Sequence, residues 1–110
     1  MKRGEIWTVS GGADYAGKPR PVVIVQDDRF DATESMTVCG MTTTGAEALL
    51  ARPEVIPSTD NGSRAPSRIM IDKITTVPKR RLGQRIGVLG DEDIGRLNRA
   101  VGMFLGLAGR

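Results

Sequence analysis

The sequence has no histidine in its 110 residues. That absence excludes Ser-His-Asp and Cys-His nucleophile systems, and any nuclease mechanism that uses a pair of histidines as acid and base. There is one cysteine, Cys39, so no disulfide can close within the chain. A single thiol without imidazole does not supply a zinc site. Cys39 lies in Met36-Thr37-Val38-Cys39-Gly40-Met41, a strand-like run in which a buried, inert thiol is expected over a reactive one. Aromatic residues amount to 4%, too few for the stacking platforms on which many sequence-tolerant single-strand binders depend. No stretch approaches membrane-spanning length. The start, Met1-Lys2-Arg3-Gly4-Glu5, lacks the apolar core of a secretion signal, and a cytoplasmic location is expected.

What the sequence does have is an ordinary globular composition, 39% hydrophobic and 26% charged. Its length suits a single domain over 1–110 with one modest core. The net charge of +3 is compatible with a polyanionic partner. The cations cluster: Lys79, Arg80, Arg81 and Arg85 form one group, Lys2 and Arg3 a second, Lys18 and Arg20 a third. A solvated loop is the simpler explanation of the run from Lys79 to Arg81; contact with nucleic-acid phosphates is the functional one.

Alternation of Ile6 and Thr8 against Trp7 and Val9 predicts a first strand over 4–10. Trp7 is expected in the core or at a subunit interface. A glycine-rich loop closed by Pro19 follows. Pro21-Val22-Val23-Ile24-Val25-Gln26 is too short for a helix and too uniformly apolar for a sheet edge, so it is expected as a central strand. A third strand is expected over 36–41, ending at Thr42-Thr43-Thr44-Gly45, while 45–52 is ambiguous. Further strands are expected over 54–57, 67–74 and 84–88, with an Asn61-Gly62 turn after the first and Pro78 stopping the second. The period then changes. Asp91 is expected to cap a helix, with Glu92 and Asp93 in its first turn, where negative charge suits the helix dipole. Ile94, Leu97, Val101, Phe104 and Leu105 recur at helical spacing and predict its buried face. The chain is thus expected to be mainly β, with about five to six short strands in an antiparallel barrel-like sheet and one C-terminal helix laid against it.

Three segments carry a family resemblance. Lys2-Arg3-Gly4-Glu5-Ile6-Trp7, Arg20-Pro21-Val22-Val23-Ile24-Val25-Gln26 and Val38-Cys39-Gly40-Met41-Thr42-Thr43-Thr44 resemble the MazF/PemK/Kid toxins. Looser similarity continues through Pro66-Ser67, Asp72-Lys73-Ile74, Arg81-Leu82-Gly83 and the closing helix, in the family's order. The resemblance implies an SH3-like barrel of the CcdB/MazF type and a homodimer. It implies a toxin that cuts single-stranded RNA at short preferred sequences without metal or cofactor, inhibits translation as an mRNA interferase, and is neutralised by a cognate antitoxin. By position, Arg20 matches the family's catalytic arginine and Thr42 its catalytic threonine. Candidate RNA contacts are Tyr15, Lys18, Thr43, Thr44, Asp72, Lys79 and Arg80. Asp72 matches an acidic position used by some members, and is equally readable as the partner of a nearby basic residue. Two departures stand out. Members with an arginine two residues before that acid correspond here to Met70, and their first-loop histidine to Asp14 or Tyr15.

The residue types suit the chemistry. RNA can be cut by its own 2′-OH attacking the neighbouring phosphorus, a reaction governed by positioning and charge stabilisation. A guanidinium grips two phosphate oxygens with a planar fork and a permanent charge. Its pKa above about 12 makes proton transfer a secondary role. A threonine hydroxyl can donate to a phosphate oxygen, and β-branching keeps it stiff. Two rival readings share the barrel: a CcdB-like gyrase poison that cuts nothing, and an inactive MazF-like binding protein. A gyrase poison has no need of the Arg20 and Thr42 placement.

Overall fold

The computed structural model describes residues 1–10, 18–44 and 51–107. Within them the order is β1 (Glu5–Val9), β2 (Arg20–Ile24), β3 (Ser35–Thr42), β4 (Glu54–Val55), β5 (Ser67–Ile69), β6 (Thr75–Pro78), β7 (Leu82–Val88) and α1 (Asp91–Phe104). Every strand pair is antiparallel. The spatial order is β4-β5-β3-β2-β1-β7, with β6 also on β3. The expected barrel-like sheet with a terminal helix is present, as a curled sheet. No helix among the described residues is long and apolar enough to cross a membrane.

The sheet is buried on both faces at its centre, which explains the uniform apolarity of β2. Val23 points into a cluster with Ile6, Cys39, Met41, Ile69, Ile71 and Leu97, the face that α1 covers. Val22 and Ile24 point the other way, into a cluster with Val9, Met36, Val38, Val77 and Leu82. All three β2 residues have 0% exposure. Cys39 is equally buried, and loss of hydration pushes its thiol up to about 12. It stays protonated at neutral pH, the inert thiol expected of this strand.

The single strand expected over 67–74 is two strands, β5 and β6, separated by a 3-10 turn at Ile71–Lys73. Register gives the reason. Met41 faces Ile69 and Val38 faces Thr75, so three steps along β3 answer six on the partner side. The turn takes up the excess, and Ile71 drops into the core at 0% exposure. Periodicity alone saw only the continuing apolar run of Ile69, Ile71 and Ile74. Pro78 ends β6 rather than lying beyond it, and β7 begins at Leu82, earlier than expected. The fourth strand is shorter than the 54–57 expected.

Helix α1 carries the expected Asp91, Glu92 and Asp93 in its first turn, but its N-cap is Gly90, not Asp91. Leu89 is buried and its N–H donates to the Gly4 carbonyl, so the chain turns one residue sooner than the acidic run implied. Leu97 and Ala100 are buried and Ile94 and Val101 partly so. Phe104 and Leu105, expected on the same face, are 47% and 48% exposed. The last turn of the helix extends past the core it covers higher up.

The Asn61-Gly62 turn is built as its residues predict. The Asn61 side chain is 1% exposed. Its Oδ1 accepts from the N–H groups of Ser58 and Ser63, and its Nδ2 donates to the Ile56 carbonyl. Gly62 follows with φ +66°, a conformation only glycine adopts without strain. The curl of the sheet brings β7 against this turn, where the Val88 N–H donates to the Asp60 carbonyl at 2.9 Å. A side chain at Gly87 would strike the Asp60 carbonyl and the Asn61 backbone, so this contact needs glycine there.

Candidate active site

β2 and β3 place the arginine and the threonine together. Val22 faces Gly40 and Val23 faces Cys39; extending that register by two positions sets Thr42 opposite Arg20. Side chains alternate along a strand, so both lie on the face of Val22 and Val38. Opposed residues have Cα atoms only about 4.5–5.5 Å apart. Arg20 is exposed, and its guanidinium makes no hydrogen bond or ion pair among the described residues. Its charge is available to an anion. Thr42 is half-buried. Its Oγ1 accepts from the Thr44 N–H at 3.1 Å and lies 2.9 Å from the Thr44 hydroxyl. The turn following β3 thereby fixes the hydroxyl in place, and Thr43 and Thr44 are exposed beside it. Lys18 is exposed just before Arg20.

A cleft of about 410 Å³ opens beside Thr42, and it is Pro21, the neighbour of Arg20, that lines it from β2. Pro21, Thr42 and Thr43 form one side, the segment from Asn61 to Ala65 the other, and Ile6, Met41, Ser67 and Ile86 complete it. Ile86 reaches the cleft through a β-bulge. Ile6 faces Gly87 and Trp7 faces Arg85, leaving Ile86 without an opposite residue in β1. Arg64 is exposed at the cleft. The sequence reading did not single out Arg64, Ser67 or Ile86 as site residues. Their signal was local, an Asn-Gly turn and a strand, whereas their proximity to Thr42 depends on how the sheet curls.

The other candidate residues divide. Asp72, in the 3-10 turn, is bound on both carboxylate oxygens by Arg52, from Nε at 2.8 Å and Nη2 at 2.9 Å. That pair is mostly buried, at 14% and 21% side-chain exposure. Met70 lies across Gly40, its Cε 3.0 Å from where a β-carbon would stand. Lys79 is tied to the far end of β3: its N–H donates to the Glu34 carbonyl and its Nζ to Asp31. That end is roughly 20 Å from Thr42 at about 3.3 Å per residue. Arg80 is exposed in the same turn. The Arg81 carbonyl accepts from Ser10, next to Val9, which faces Arg20. The basic run thus leads from the far end of β3 back toward the arginine. Tyr15 lies outside the described residues. Trp7 is half-buried against the second cluster, with its indole N–H on Glu5 Oε1 at 3.0 Å.

The Arg52 guanidinium holds the Asp72 carboxyl below the usual aspartate range. A carboxyl depressed by folding contributes stability that is fully present above its unfolded value, near 3.8, and lost as pH falls through the folded value. Asp72→Asn is therefore expected to cost about 1–3 kcal/mol at neutral pH. The gap between the two proteins should narrow below about pH 4. Denaturant melts of both from pH 7 to 2 measure it; a gap independent of pH would show that the ion pair is not its source.

Solved structures that share this fold include mycobacterial toxins. The chain superposes on the Mycobacterium tuberculosis toxin MazF-mt6 with TM-score 0.80 and 28% identity, over 96% of this chain and 99% of that one. An endoribonuclease solved with its cognate antitoxin from a mycobacterial species has the same fold, with TM-score 0.82 at 22% identity over 100% and 99% of the two chains. The chain belongs to the PemK-like, MazF-like toxins of type II toxin–antitoxin systems, a family matched over residues 2–105. It is 49% identical to a probable endoribonuclease MazF of Mycolicibacterium smegmatis, over 99% of this chain and 100% of that protein. Membership of this family sets aside the gyrase-poison reading.

Proposed function

We propose that this toxin is a metal-independent endoribonuclease that cuts single-stranded RNA at a short preferred sequence and so inhibits translation. The observation that carries the reading is the cross-strand placement of Arg20, whose side chain has no partner among the described residues, opposite the fixed Thr42 hydroxyl, which lines the cleft. In this reading the RNA's 2′-oxygen bonds to the adjacent phosphorus as the bond to the 5′-oxygen breaks. The 2′-OH gives up its proton and the leaving oxygen gains one, which yields a cyclic phosphate end and a 5′-hydroxyl end. Arg20 stabilises the charge on the non-bridging oxygens, and Thr42 donates to one of them. Lys18, Thr43 and Thr44 stand beside the same site, and Arg80 offers a further phosphate contact along the strand's path. Asp72 acts through Arg52, by holding the chain next to Met70 and β3.

The protein acts in the cytoplasm as a single domain and is blocked by a cognate antitoxin. It works as a homodimer, supported by the apolar surface that Met103, Phe104, Leu105 and Leu107 leave exposed. Light scattering should give about twice 11.8 kDa; a monomer mass at working concentration would contradict the dimer. The cleavage test is incubation with a long single-stranded RNA in EDTA, followed by mapping of fragment ends. Discrete cuts are expected. Intact RNA from well-folded protein, across several sequences, would favour a toxin fold that binds without cutting.

A further inference from the structure

One buried polar atom in the wall of the cleft lacks a partner. Ser67 is 6% exposed, and its hydroxyl is buried without a hydrogen bond, the one such side-chain atom among the described residues. Its neighbours are committed elsewhere. The Asn61 amide is spent on its own turn, the Ser63 hydroxyl donates to the Ala65 carbonyl, and the Thr42 hydroxyl is held by Thr44. A buried hydroxyl without a partner weakens the fold, so a sequence that retains one at a binding surface points to a ligand that completes it. Position supports this. Met41 faces Ile69 and Thr42 faces Arg68, so the same register sets Ser67 opposite Thr43.

The rest of the cleft fits a flat heterocycle. Pro21, Met41 and Ile86 give apolar walls, with exposed Arg64 at its edge. A cleft of about 410 Å³ falls within the range of small-ligand sites, roughly 300–1,000 Å³. We propose that this cleft receives one nucleobase of the RNA beside the scissile phosphate, and that the Ser67 hydroxyl reads its edge, making Ser67 a specificity-determining residue. The inference rests on the ribonuclease reading above. A hydroxyl both donates and accepts, so it can pair with the amino or carbonyl group that distinguishes one base from another. Arg64 then holds the phosphate that follows this base.

The test compares wild type, Ser67→Ala and Ser67→Cys on a pool of single-stranded RNAs randomised around the cut, with thermal melts of each. Cysteine keeps the size of serine but bonds weakly. Both variants should melt at or above the wild-type temperature, and both should lose roughly tenfold or more of the discrimination at one nucleotide position while keeping it at the others. Wild type and variants that share one cleavage motif and one kcat/KM would overturn the inference and leave the ribonuclease reading standing. Folded variants that cut nothing would also overturn it, by placing Ser67 in the chemistry. Variants that both unfold would make Ser67 a structural group and overturn it again. A wild type that cuts no RNA would overturn the reading beneath it.

Discussion

Arg20→Ala is expected to slow RNA cleavage by about 10³-fold while leaving the protein folded. The size follows from the role. Removing one preorganised donor from a developing oxyanion typically costs about 10²–10³-fold, and arginines that stabilise transferring phosphoryl groups are worth about 10³–10⁵-fold. Stability should change by no more than about 0.5 kcal/mol, because Arg20 is exposed at the start of β2 and pairs with nothing among the described residues. Arg20→Lys should recover part of the rate, since it restores charge without the planar fork. Single-turnover cleavage in EDTA beside a thermal melt separates the two effects. A variant that cuts at the wild-type rate would remove Arg20 from the site.

Leu97→Ala is expected to destabilise the fold by about 2–5 kcal/mol. Leu97 is 0% exposed, among Ile6, Val23, Cys39, Ile69 and Ile71 on the face of the sheet that α1 covers. Truncation removes contacts from the middle of the helix, where Ala100 is the other buried residue. The last turn cannot compensate, because Phe104 and Leu105 lie outside the core. Urea titration should show a lower midpoint with an unchanged slope. A loss below about 1 kcal/mol would mean that the helix is held by something other than this packing.

Much of the fold was legible because its signals are local. The uniform apolarity of β2 marked a central strand, and that strand is covered on both faces. Asn61-Gly62 marked a turn, which the Asn61 amide and the φ of Gly62 build. The division of 67–74 was not legible. The excess residues opposite β3 exist only once both strands are paired, and an apolar residue at the inner side of a 3-10 turn looks the same in sequence as one on a strand. The exposure of Phe104 was hidden for a similar reason: a helical period shows which residues share a face, not how far the surface beneath them reaches.

The same division holds for the site. The sequence by itself determined which chemistries were closed, through the absence of histidine and the single cysteine, and its resemblance to the toxin family pointed to Arg20 and Thr42. Only the tertiary structure decided which groups stand together. It set Thr42 across from Arg20, committed Asp72 to Arg52, tied Lys79 to the far end of β3, and enclosed the Ser67 hydroxyl in a cleft shared by three distant segments. The physical reason is that residue type is written into the chain, whereas distance and burial arise from strand register and the curl of the sheet. Those depend on many weak contacts acting together, and no short stretch of sequence contains them.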